Sequence, residues 1–143
     1  NLLSSHDTPR FVTVVGGGAL AVERLKLATL FQMTFPGAPC IYYGDEIGLE
    51  GGNEPACRGA FPWNPARWNQ ELHAHVRRCV HLRHAYPALR RGSLTAVHAD
   101  DGVYAFVREL DGERLLVALN SNTGARRASL SLERYRPADA ALQ

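Results

Sequence analysis

At 143 residues, with 45% hydrophobic and 21% charged side chains, the chain has the composition of a folded globular protein and not of a disordered one. Its net charge is only +2, and its arginines are scattered and form no stripe, which argues against nucleic acid as a partner. No apolar run approaches the roughly 20 residues that a membrane span requires, so no membrane partner is expected.

The opening run Asn1-Leu2-Leu3-Ser4-Ser5-His6-Asp7-Thr8-Pro9-Arg10 passes from an apolar pair to small polar residues and then to adjacent His6 and Asp7. That is the pattern at the carboxyl end of a buried strand, and Pro9 stops any ladder, so His6 and Asp7 are expected on a loop mouth. A plain surface turn, with Asp7 bonded to nearby backbone amides, is the alternative. Phe11 to Val15 is a short apolar stretch, and Gly16-Gly17-Gly18 follows. Those glycines lack the Lys-Ser or Lys-Thr of a phosphate loop and read as a flexible lead into a helix.

Ala19 to Phe35 has a wet first half (Glu23, Arg24, Lys26) and a broad apolar face, and Pro36-Gly37 ends it. Gln32 is the one strongly polar residue in its second half and is expected to satisfy a backbone group. Ala38 to Gly44 is continuously apolar and reads as a fully buried parallel strand. Asp45 and Glu46 suggest an acid/base pair, yet neighbours on a strand point to opposite faces and cannot flank one scissile bond. Their expected role is to hold the loop by bonding backbone amides or an arginine.

Glu50 to Arg67 is a long loop rich in Gly, Pro and Asn. Within it Trp63 is read either as a platform that stacks on a sugar or as a plug, whereas Trp68 is expected to pack. Glu54 and Arg58 either pair with each other or face a ligand. Asn69 to Arg90 reads as a helix closed by Pro87 and Gly92, and its histidines read as a solvated face with no metal. From there the pattern turns to period two: Val97, Val103, Ala105, Val107, Leu115, Val117 and Leu119 alternate with polar residues, and turns fall at Asp100-Asp101-Gly102 and Asp111-Gly112-Glu113. Ala128 to Leu132 reads as a further short strand.

Three cysteines, Cys40, Cys57 and Cys79, lie far apart without a zinc spacing and read as free thiols. With no signal-like segment, they lead to the expectation of a cytoplasmic protein. Nothing in the sequence calls for a metal or any other cofactor.

The opening decapeptide resembles the strand-seven segment of the α-amylase family of glycoside hydrolases. Gly37-Ala38-Pro39-Cys40-Ile41-Tyr42-Tyr43-Gly44-Asp45-Glu46-Ile47-Gly48-Leu49 resembles that family's eighth strand and following loop. Gly51-Gly52-Asn53-Glu54-Pro55-Ala56-Cys57-Arg58 is similar to the neopullulanase and cyclomaltodextrinase branch. The resemblance implies an α/β region followed by an all-β one: the last two strand-helix units of a (β/α)₈ (TIM) barrel over 1–91, and part of a carboxyl-terminal antiparallel β-sandwich over 92–143. It implies a carboxyl-terminal piece of a retaining hydrolase of α-glucosidic bonds acting on maltooligosaccharide or cyclodextrin. Asp7 would be the transition-state-stabilising carboxylate, His6 its neighbour, and Glu54 and Arg58 would bind substrate; Trp63 is a further substrate-binding candidate on its own chemistry alone. The branch usually has Asp where this chain has Glu54, and a second acidic residue at Ala56. Asp45 and Glu46 match neither catalytic position. The nucleophile and acid/base would lie upstream, leaving this chain inactive alone. A non-catalytic glucan-binding module, or a fragment that self-associates through exposed strands, is the other reading.

Overall fold

The computed structural model describes residues 1–135. Helix α1 (Phe11–Val14) is short, and α2 (Gly18–Thr34) follows the glycine run. A long segment with single 3₁₀ turns at Asp45–Ile47, Ala56–Arg58 and Pro65–Arg67 leads to α3 (Gln70–Ala85) and α4 (Pro87–Arg91). Strands β1 (Ser93–Asp100), β2 (Val103–Leu110) and β3 (Glu113–Asn120) then form an antiparallel sheet in that order.

Local chemistry accounts for the boundaries. The Asn69 side chain accepts the Leu72 N–H at 2.9 Å and caps α3. Pro87 does not continue α3: it opens α4 as that helix's first residue, after Tyr86 has turned to extended backbone, so the predicted single helix is two. The β2–β3 connection is Asp111-Gly112, both at positive φ (49° and 88°), the left-handed pair that a tight hairpin requires.

Val12, Ala21, Leu25, Leu72 and Val76 form the core where α1, α2 and α3 meet. A second apolar layer joins α2 to the sheet: Phe31 and Phe35 each lie 6.4 Å from the Phe106 ring, which is fully buried. Pairing of Phe106 with Val117, and of Ala105 with Ala118, puts the two apolar sets of β2 on opposite faces. The central strand is therefore covered on both sides, which its uninterrupted Val-Tyr-Ala-Phe-Val run allows.

Two buried arginines bind the layers. Arg83 donates to Met33 O, Phe35 O and Gly37 O (2.7, 3.2 and 2.5 Å). Arg108 donates to Thr34 O, Leu89 O, Gly92 O and Ser93 O (2.5, 3.0, 2.8 and 3.1 Å). The carbonyls left over at the end of α2 and beside α4 thus meet cations, which also suits the helix dipole. Burial lowers the pKa of both guanidiniums from the ordinary arginine value.

Three local expectations fail. Ala38 to Gly44 is not a fully buried strand: one parallel bridge joins Cys40 to Leu2, and Ile41 and Tyr43 are exposed. Leu2 supplies its one β-bridge among the described residues, while Arg10 lies over Tyr42 and Tyr43 and the Tyr43 hydroxyl donates to Gly59 O at 2.9 Å. Asp45 and Glu46 do not alternate on a strand but begin a 3₁₀ turn, with Asp45 buried. Ala128 to Leu132 forms no strand, and a 3₁₀ turn at Glu133–Tyr135 follows it. Part of the 92–143 segment, residues 136–143, lies outside the described residues.

Candidate functional site

His6 and Asp7 stand on a tight turn closed by hydroxyls. Ser5 N–H donates to Thr8 Oγ1 and Asp7 N–H to Ser5 Oγ, each at 3.1 Å. Because Ser5 and Thr8 satisfy the turn, the His6 and Asp7 side chains are free to face outward, at 67% and 66% exposure. His6 Nε2 lies 3.1 Å from Asp7 Oδ2. The Asp7 carboxylate faces His6 and Arg58, unlike the ordinary surface turn in which it would bond backbone amides.

The Ala56–Arg58 turn meets this loop from behind. Cys57 is fully buried, and its Sγ donates to His6 O at 3.2 Å, while Arg58 Nε donates to the same carbonyl at 3.0 Å. Arg58 Nη2 lies 2.8 Å from Glu54 Oε1 and 3.7 Å from Asp7 Oδ1. The fold therefore brings His6, Asp7, Glu54 and Arg58 into one cluster, with the guanidinium between two carboxylates and gripping the backbone of the His6 turn. Such a rim of acceptors and fixed donors suits a ligand that offers several hydroxyls.

Trp63 is 83% exposed among the described residues; its ring meets Phe61 edge-on at 4.9 Å. No hydrogen bond or ring contact among the described residues joins it to the other four. Trp68 packs as expected, against Phe61 and His73, with its indole N–H on Pro62 O at 2.6 Å. The apolar groove of about 530 Å³ between α2 and the sheet, bounded by Phe11, Leu27, Phe31, Tyr104 and Leu119, includes none of the candidate site residues.

Behind the turn sits a group that sequence reasoning gave no role. Arg10 is fully buried, with its Nη1 3.3 Å from Asp45 Oδ1, so Asp45 does hold an arginine as expected of it. Burial raises the Asp45 pKa from the ordinary aspartate value, against the opposing pull of Ser4 and Arg10. The Pro9-Arg10 step, placed between a polar turn and the apolar Phe11 stretch, is the only sequence signal for an inward cation. Cys57 carried none.

Residues 1–92 match the family described as Alpha amylase, catalytic domain, and residues 94–141 match Maltogenic Amylase, C-terminal domain. A Cyclomaltodextrinase of Geobacillus thermopakistaniensis is 50% identical over 127 residues, which cover 87% of this chain and 21% of that protein. Neopullulanase 2 of Thermoactinomyces vulgaris is 43% identical over 123 residues, covering 85% of this chain and 20% of that protein. The chain thus spans about a fifth of the length of these curated relatives. Among solved structures, the cyclic α-maltosyl-(1→6)-maltose hydrolase of Arthrobacter globiformis superposes with a TM-score of 0.77 at 44% identity, covering 84% of this chain and 26% of that one. The chain belongs to the α-amylase family of glycoside hydrolases.

Proposed function

We propose that this chain is part of a retaining hydrolase of α-glucosidic bonds in starch-derived maltodextrins or cyclodextrins, with Asp7 as its transition-state-stabilising carboxylate. The observation that carries this reading is the outward Asp7 carboxylate, with His6 Nε2 at 3.1 Å and Arg58 between Asp7 and Glu54. A carboxylate that accepts bonds from vicinal hydroxyls of the sugar orients and distorts the ring. Those bonds strengthen as charge develops near the anomeric carbon. His6 donates to the same hydroxyls, Arg58 and Glu54 hold a distal unit, and the exposed Trp63 offers a stacking face.

Retaining chemistry needs a nucleophile and an acid/base residue about 5–5.5 Å apart. In this reading both stand on barrel strands outside the chain, which alone is inactive. Residues 1–91 belong to the barrel and 92–143 to the β-domain, and the three free thiols fit the cytoplasm. The relatives' names, cyclomaltodextrinase and neopullulanase, support the substrate class. No described helix is long and apolar enough to cross a membrane.

The outward Trp63 favours a second reading, a glucan-binding module without catalysis. The exposed Ile41 and Tyr43 and the outer edges of β1 and β3, unpaired among the described residues, favour a third, a self-associating fragment. Release of reducing ends from maltooligosaccharide, cyclodextrin and pullulan, measured for this chain and for the full-length protein that carries it, separates them. Activity in the full-length protein alone is expected. Saturable maltooligosaccharide binding without activity in either would favour the module, and a mass above the monomer without sugar binding would favour self-association.

A further inference from the structure

Arg10 touches neither solvent nor the exposed rim, yet it is where the two loops of the site are fastened together. Its Nη1 donates to Tyr43 O at 2.6 Å and reaches Asp45 Oδ1 at 3.3 Å, and its Cζ lies 4.5 Å from the Tyr42 ring centre and 4.8 Å from that of Tyr43. Its backbone N–H donates to Gly51 O at 2.9 Å, and Gly51 N–H returns a bond to Thr13 Oγ1 at 2.9 Å. The base of the turn is closed by Phe11 N–H on Ser4 Oγ at 3.0 Å. Gly44, at φ +88°, has no room for a side chain: a Cβ there would lie 2.8 Å from Leu49 and 3.3 Å from Arg10 Nη1. The second loop is shaped around the guanidinium.

Stability alone is a poor reason for this arrangement. A buried ion pair gains little over an apolar residue of the same size, and Arg10 Nε and Nη2 are buried without partners among the described residues. What the cation provides is a fixed separation between the turn that carries Asp7 and the segment that leads to Glu54 and Arg58.

We infer that Arg10, held by Asp45 and the Tyr43 carbonyl, is the positioning residue that sets the place of Asp7 relative to a bound sugar. This rests on the role proposed for Asp7. The test is a double-mutant cycle in the full-length enzyme between Arg10→Lys and Asp7→Asn, with kcat and KM read separately. Arg10→Lys keeps the charge and loses the planar fork. A displacement of about 1 Å at a reacting centre costs on the order of 10²-fold, so kcat is expected to fall by that order with KM little changed. In the Asp7→Asn background the same substitution should cost less than about threefold, because its effect passes through the carboxylate already removed.

Full multiplication of the two losses, or an unchanged kcat in Arg10→Lys, would overturn the inference. Should Asp7→Asn itself leave kcat unaltered, the proposed role of Asp7 has failed, and amide exchange in the full-length enzyme then decides on Arg10. Faster exchange at Asp7, Phe11 and Gly51 in Arg10→Lys, with α3 and β2 unaffected, would uphold the positioning role. Unchanged exchange at those three amides would reject it.

Discussion

Arg58 makes its contacts in different directions at once: Nε to the His6 carbonyl, Nη2 to Glu54, and Nη2 again toward Asp7. A lysine carries the charge but cannot span these partners. In the full-length enzyme Arg58→Lys should lower kcat/KM by about tenfold, the equivalent of one charge-assisted hydrogen bond. A value within twofold of the parent would remove Arg58 from the site. Residues of this kind were only partly legible in the sequence. Gln32 could be read because it is a lone amide in an apolar half-helix, and its Nε2 does satisfy Asn1 O and Cys40 O, each at 2.9 Å. Arg10 could not, since its burial depends on Tyr42, Tyr43 and Asp45, far along the chain, and no local pattern encodes which cation goes inside.

Between elements, the seam of α2 and α3 carries a salt bridge from Lys26 Nζ to Glu71 Oε1 at 2.6 Å, and within α2 Lys26 also meets Glu23 Oε1 at 2.7 Å. The hydrogen bond from Lys26 holds the Glu71 carboxyl below its ordinary value, and those from Glu23 and Glu71 hold Lys26 above its own. The Glu71 contribution to stability is therefore full above the ordinary Glu value of about 4.3 and disappears as pH falls through the lowered folded value. That of Lys26 is full below about 10.4 and disappears as pH rises through its raised value. Glu71 is 81% exposed, so screening keeps the effect small. Denaturant midpoints of the parent and Glu71→Gln should differ near neutrality and converge in acid; a difference that persists below the carboxylate range would contradict the assignment.

The β2–β3 hairpin was legible from Asp111-Gly112 alone, because few residue pairs accept positive φ twice. A Cβ at Gly112 would meet nothing within 4 Å, so the cost of Gly112→Ala is purely conformational, about 1 kcal/mol by urea unfolding. A neutral substitution would mean that the turn relaxes. The segment around Ile41 misled for the opposite reason. Its apolar run reports the burial that the sequence is suited to, while pairing depends on neighbours, and among the described residues its one β-bridge is to Leu2.

Across the whole molecule, Arg108 ties the helical part to the sheet by reaching carbonyls on α2, α4 and β1. Arg108→Met would leave several buried acceptors short of donors. It should cost about 3 kcal/mol in thermal or urea unfolding, with earlier melting of both the helical part and the sheet. A loss under about 1 kcal/mol would show that water replaces the guanidinium. The positions of α2, α3 and the three strands were readable from periodicity and turn residues, but this clamp was not, because an arginine on a strand reads as a solvent-facing position until the register puts it beside Phe106 on the helix side.

The central claim is that Asp7 acts at the transition state, and kcat and KM of Asp7→Asn in the full-length enzyme on maltooligosaccharide test it most directly. The account predicts a kcat lower by roughly 10²-fold or more, the size seen when one preorganised transition-state contact is removed, with KM changed little. An unaltered kcat, with any loss confined to KM, would contradict it.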